Sequence, residues 1–122
     1  MDALNVMIAD DELYVRTVLR SIVNRLPGRV VGEVETGKDV FEIYSQLLPD
    51  LLLLDINMPL KTGDMVIEEL IATHPEARII MLTGVADSET VEKCIAAGAC
   101  GYIRKDTAPE EMKEMILSIM AG

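Results

Sequence analysis

The sequence has no tryptophan, one phenylalanine and three tyrosines, so only 3% of it is aromatic. A core without aromatic bulk must be filled by aliphatic side chains and by the eight methionines, whose unbranched stems fit irregular gaps. Histidine is almost missing too. His74 alone makes a zinc site or a Ser-His-Asp triad improbable. It stands before Pro75 at the end of an apolar-periodic segment and reads as a surface residue. The two cysteines, Cys94 and Cys100, form no CxxC and have no His/Cys partners. They read as buried small hydrophobes in a reducing, cytoplasmic setting. Positive charge is scarce: 11 basic against 21 acidic residues give a net charge of −10. Such a surface is repelled by a phosphate backbone, so no direct nucleic-acid binding is expected, and the acidic surplus serves solubility. Long apolar runs are also missing. Leu4 to Ala9 meets Asp10-Asp11-Glu12 at once, too early for a signal peptide or a membrane span.

What is present is half apolar over 122 residues, enough for one core, so residues 1–122 read as a single domain. Leu51-Leu52-Leu53-Leu54 has no polar face and lies between Pro49-Asp50 and Asp55. It reads as a strand buried on both sides. Leu4–Ala9, Val30–Val34, Arg78–Thr83 and Cys100–Arg104 read as four more strands. Between and after them, apolar residues recur at helical spacing: Val15, Val18, Leu19, Ile22, Val23 and Leu26; Val40, Ile43, Tyr44 and Leu47; Val66, Ile67, Leu70 and Ile71; Val91, Cys94, Ile95 and Ala97; Met112, Met115, Ile116, Ile119 and Met120. Thr36 with Asp39 reads as a weak relative of the capping box, Thr107 with Glu110 as a capping box with Pro109 in the first turn, and Asp87 or Ser88 as the cap of the fourth helix. Arg16, Arg20 and Arg25 point away from the apolar face of the first helix. Five alternations with short links predict an α/β fold whose parallel sheet is covered on both faces.

Four of the five strands end in polar groups: Asp10 and Asp11 after the first, Asp55 after the third, Thr83 after the fourth and Lys105 after the fifth. In an open parallel sheet that rim is where ligands bind. Three carboxylates brought together repel, so one stays protonated or a cation sits among them. Oxygen ligands with room for water suit Mg²⁺. A hydroxyl, an ammonium and a divalent cation together suit an anion with several oxygens. A phosphoryl group on Asp55 fits, because a carboxylate is a competent nucleophile toward phosphorus.

Asp10-Asp11, Asp55-Ile56-Asn57-Met58-Pro59 with Gly63, Thr83-Gly84, Gly98-Ala99 and Gly101-Tyr102-Ile103-Arg104-Lys105 together resemble a response-regulator receiver domain, across nearly the whole chain. The resemblance implies a flavodoxin-like (βα)5 sandwich with strand order 2-1-3-4-5. It implies phosphoryl transfer from the phosphohistidine of a sensor histidine kinase or phosphotransfer protein to Asp55. Mg²⁺ would be held by Asp11 and Asp55, by the Asn57 carbonyl, and by Asp10 through water. Thr83 and Lys105 would grip the phosphoryl oxygens, and Tyr102 would swing inward as Thr83 shifts. The readout surface would be the fourth helix, fifth strand and fifth helix, facing an output domain or partner protein. Asn57 and Val85 occupy positions that tune phosphoryl lifetime in this family.

Asp106 follows Lys105 where many receivers have proline, which makes a cis bond there costly. The lysine-aspartate ending resembles receivers that precede helix-turn-helix domains, so the chain reads as a stand-alone receiver or an excised one, with a homodimer through the last helices left open. Three other functions fit these residues less well. A haloacid-dehalogenase type phosphohydrolase needs an acid two residues after its nucleophile, where this chain has Asn57. A flavin or nucleotide carrier needs a donor-rich loop after the first strand, where this chain has Asp10-Asp11-Glu12. A receiver that is never phosphorylated would have no use for the full acceptor set.

Overall fold

Successive side chains of a strand point to opposite faces, so four consecutive leucines need apolar cover on both. In the computed structural model, which describes residues 3–84 and 88–122, they have it. The elements run β1 (Leu4–Ala9), α1 (Leu13–Asn24), β2 (Gly28–Val34), α2 (Gly37–Leu47), β3 (Leu51–Asp55), α3 (Gly63–Thr73), β4 (Ile79–Thr83), α4 (Ser88–Ala97), β5 (Gly101–Arg104) and α5 (Pro109–Ala121). The five strands pair in parallel in the order β2-β1-β3-β4-β5, the doubly wound arrangement expected from the resemblance.

Alternation divides the leucines between two cores. Leu51 and Leu53 join Val6, Ile8, Ile80, Leu82 and Ile103 against Leu19, Ile22 and Val23 of α1 and Met112 and Ile116 of α5. Leu52 and Leu54 join Met7, Ala9, Ile79 and Met81 against Val40 of α2, Val66, Ile67 and Leu70 of α3, and Cys94 of α4. All four leucines are at most 1% exposed, each contributing about 2–3 kcal/mol of burial as an upper figure. This two-sided clamp makes β3 a rigid stalk for the carboxylate at its end. Among the described residues, no helix is long and apolar enough to cross a membrane.

Several local expectations are corrected. β2 starts at Gly28, two residues earlier than expected, because Leu4 and Asn5 pair with Gly28 and Arg29; Val31 is then left out of the register between Val6 and Met7. Thr107 does not cap α5. Proline biases the residue before it toward extended backbone, so Ala108 (φ −63, ψ 143) takes the cap position and Pro109 opens the helix. Glu110 pairs instead with Arg25. Thr36 does precede α2, but its hydroxyl donates to Asp39 Oδ2 at 3.0 Å rather than to a backbone group. His74 is half-buried, not superficial. Its ring lies against Phe41 and Tyr44, with Nε2 3.0 Å from Ser45 Oγ. Cys94 is buried as expected, whereas Cys100 is exposed just ahead of β5. The Lys105–Asp106 peptide is trans, as there is no cis bond among the described residues. Asp87, one of the two cap candidates for α4, lies outside those residues.

Candidate functional site

Parallel strands bring their carboxyl ends to one edge. Asp10 directly follows β1 and extends its pairing, its N–H donating to Val34 O at 3.1 Å. Its side chain is fully buried. Asp10 Oδ1 accepts the Glu12 N–H at 2.9 Å. Asp55, the last residue of β3, is only 2% exposed, and its Oδ1 accepts the Asn57 N–H at 3.0 Å. Each carboxylate thus has one oxygen tied down by the loop that follows it and one left to face the site. Those two free oxygens meet Lys105, whose Nζ lies 3.0 Å from Asp10 Oδ2 and 3.1 Å from Asp55 Oδ2. Glu12 adds a third carboxylate at 3.0 Å from the ammonium. Asp11 is exposed, yet ligand oxygens of Asp10, Asp11 and Asp55 all lie within 4.8 Å of one another.

The charges do not balance: one ammonium serves four carboxylates. At 4.8 Å and an effective dielectric of about 20, each like pair costs about 3.5 kcal/mol. Burial is the main cause that raises the Asp55 pKa, with the Asp10 charge adding to it; the Asn57 N–H and Lys105 pull the other way without prevailing. For Lys105, burial alone would favour the neutral form. Bonds to Asp10 and Glu12 and the charges of Asp55 and Asp10 outweigh it, so its pKa rises and it stays charged.

A hard divalent cation fits these residues. The donors are all oxygens, they carry surplus negative charge, and Asp10 Oδ2 is a fully buried atom whose one close positive charge among the described residues is the Lys105 ammonium 3.0 Å away. Such an atom costs free energy unless something occupies its lone pairs.

The loop after Asp55 is held by two glycines for steric reasons. Gly63 opens α3 against the backbone of Ile56, donating to Ile56 O at 2.9 Å; a Cβ there would stand 2.9 Å from Ile56 Cα. A Cβ on Gly37, at the start of α2, would collide with the carbonyl of Lys61. The Asp55-to-Gly63 spacing in the sequence therefore records a close approach of helix to loop. Leu60 in this loop has φ 74, a left-handed conformation that costs a branched residue about 1 kcal/mol or more.

Thr83 ends β4 beside Asp55 and is 3% exposed. Its carbonyl accepts the Lys105 N–H at 2.8 Å, so the backbone of β4 fixes where the lysine begins. Asp10, Asp55, Thr83 and Lys105 therefore come to one edge, with Asp11 and Asn57 on its exposed lip. Tyr102 stands apart: it pairs with Met81 in register and is 44% exposed. Val85 lies outside the described residues. Sequence reasoning missed Glu12 as a partner of Lys105, though it continues the acidic run. It also missed Arg16, which is 7% exposed and donates to the Asp10 carbonyl at 2.8 Å. Its spacing from Asp10 was the only available hint.

Comparison with known proteins agrees with this geometry. The family model described as the response regulator receiver domain matches residues 6–117. The chain is 34% identical over 122 residues to YxjL, an uncharacterised transcriptional regulatory protein of Bacillus subtilis, covering 99% of the chain and 56% of that protein. It is 32% identical to the chemotaxis protein CheY of Thermotoga maritima, covering 91% of the chain and 92% of CheY. A solved two-component response regulator of the LuxR family from Aurantimonas superposes with a TM-score of 0.91 at 30% identity, over 99% of this chain and 87% of that one. The chain thus spans about half the length of the transcriptional regulator and nearly all of CheY. With a family model covering almost its whole length and the acid trio and lysine gathered at one sheet edge, this chain belongs to the response regulator receiver domains, the signalling switches of two-component systems.

Proposed function

We propose that Asp55 is the phosphoacceptor of a two-component phosphorelay. The observation that carries this reading is the meeting of Asp55 Oδ2 and Asp10 Oδ2 at a single half-buried ammonium, with Asp11 alongside. An Asp55 carboxylate oxygen forms the bond to phosphorus while the P–N bond to the donor imidazole breaks, and the imidazole leaves with the electron pair. The Asn57 N–H holds the other Asp55 oxygen and so orients the carboxylate. Lys105 leaves its carboxylate partners to grip a phosphoryl oxygen, and the Thr83 hydroxyl donates to another. Asp10, Asp11 and Asp55, with the Asn57 carbonyl, would hold Mg²⁺, which supplies charge neutralisation for the transferring group.

The switch follows from charge and packing. A phosphoryl group adds charge and acceptors at one point. Thr83 reaches them by moving, and the space it vacates admits Tyr102 from its exposed position on β5. A close-packed core changes between discrete states, so the signal passes to the surface of α4, β5 and α5. Receiver domains work between a sensor kinase or phosphotransfer protein and an output. The regulators among the relatives support a transcriptional output for this one, with the Mg²⁺-dependent chemistry limited to the receiver's own phosphorylation and dephosphorylation.

The test is incubation with acetyl phosphate and Mg²⁺, followed by intact mass. The expected result is one phosphoryl adduct that needs Mg²⁺ and is absent from Asp55→Asn. No adduct, or an adduct of equal yield on the Asn variant, would sink the reading.

A further inference from the structure

Arg16 is the one basic side chain on α1 that is buried. Its Nη1 donates to the Asp10 carbonyl at 2.8 Å. Its Nε lies 3.2 Å from Glu33 Oε1 and its Nη2 3.3 Å from Glu35 Oε1. Glu33 is itself held by Arg20, through Nε at 2.9 Å. The fork therefore ties three things together: the peptide at the end of β1, the end of edge strand β2, and α1. The other side of Asp10 is already fixed, since its N–H donates to Val34 O at 3.1 Å. Both polar backbone groups of Asp10 are thus pinned, one by the sheet and one by Arg16.

This is the backbone from which Asp10 and Asp11 project. Asp10 Oδ1 is held by the Glu12 N–H, and the orientation of that loop decides where Oδ2, the oxygen that faces Lys105, points. The Arg16 charge is matched by Glu33 and Glu35, so its effect on the acid site is geometric before it is electrostatic. A lysine could offer one donor to the Asp10 carbonyl but could not hold it and both glutamates as a planar fork does.

We propose that Arg16 is a positioning residue that presets the Asp10-Asp11 turn for a divalent cation. The inference rests on the phosphoacceptor reading above and goes beyond it, because Arg16 touches neither the cation nor the phosphoryl group. Replacing a group that orients metal ligands in this way typically costs about 10–100-fold in metal affinity.

The experiment is a MgCl2 titration of wild type, Arg16→Met and Arg16→Lys by amide NMR. The Glu12 and Asn57 N–H signals serve as reporters, since they bond the two buried carboxylates. Circular dichroism confirms that each variant is folded, and the lysine variant keeps the test available if methionine prevents folding. The expected result is a Mg²⁺ midpoint raised about 10-fold in Arg16→Met, with a smaller rise in Arg16→Lys. In acetyl phosphate reactions the half-saturating Mg²⁺ rises in step, while the rate at saturating Mg²⁺ recovers toward wild type. A role in stability alone would lower the amplitude and leave the midpoint in place. Midpoints within about twofold of wild type in folded variants overturn the proposal. A wild type that shows no Mg²⁺ response overturns the parent reading and this one with it; a responding wild type with unmoved variants overturns this one only.

Discussion

Asp55→Asn is expected to stabilise the metal-free protein while removing most of its response to Mg²⁺. Asp55 lies with Asp10 and Asp11 in a trio whose oxygens approach within 4.8 Å, so its two like-charge terms come to about 7 kcal/mol at an effective dielectric near 20. The ammonium of Lys105, 3.1 Å away, returns about 5 kcal/mol on the same scale. Solvent around exposed Asp11 weakens one repulsion, and burial of Asp55 adds a penalty, leaving a net strain of about 1–2 kcal/mol. The amide keeps an oxygen for the Asn57 N–H, so the loop loses no hydrogen bond. For a chain of this length that relief corresponds to a melting point about 4–8 °C higher. The pH dependence has a definite sign. The folded-state pKa of Asp55 is raised, chiefly by burial, so wild type is relatively most stable below the ordinary carboxylate pKa. It loses that stability as pH rises through the raised value. The advantage of Asn should be absent in acid and full at neutral pH. Thermal melts by circular dichroism, in chelator and in Mg²⁺, across that pH range, give the answer. In Mg²⁺ at about 100 times its dissociation constant, wild type should gain about 2.7 kcal/mol, and the variant much less. An Asn variant that melts below wild type in chelator at neutral pH, or gains as much from Mg²⁺, would refute the reasoning.

Lys105→Met leaves two buried carboxylates without a countercharge, so chemical denaturation in chelator should show a loss of about 3 kcal/mol, partly restored by Mg²⁺ or by acid; unchanged stability would count against the ion cluster. Gly63→Ala forces its Cβ against Ile56 and should cost about 1–3 kcal/mol by denaturation, with lower acetyl phosphate reactivity as the Asp55 loop shifts. Leu53→Ala, at a fully buried position between α1 and α5, should cost about 3–5 kcal/mol by denaturant melt without moving the Mg²⁺ midpoint of the protein that remains folded.

The strands were legible because β3 carries its burial in plain view: four leucines admit no half-solvated reading. The site was legible for a related reason, since strand ends in a parallel sheet share an edge and the chain writes its polar residues there. Arg16 was not legible. An arginine on the polar side of an amphipathic helix is ordinarily solvated, and nothing local says that Glu33 of β2 and Glu35 just after it will receive it at the sheet edge. His74 failed similarly: its place against Phe41 and Tyr44 depends on how α2 meets α3. Thr107 fails as a cap although the motif and a first-turn proline are both present, because Pro109 takes the first helical position rather than the second and so gives the cap place to Ala108. Leu48 and Leu60 both adopt positive φ with no glycine or asparagine to announce it; long-range packing imposes those turns.

The most direct measurement is reductive mapping of the acyl phosphate. The protein is treated with acetyl phosphate and Mg²⁺, reduced with borohydride, digested and sequenced by mass spectrometry. The account predicts homoserine at position 55 and nowhere else, and none when chelator replaces Mg²⁺. Reduction product at another carboxylate, or at residue 55 with equal yield in chelator, would contradict it.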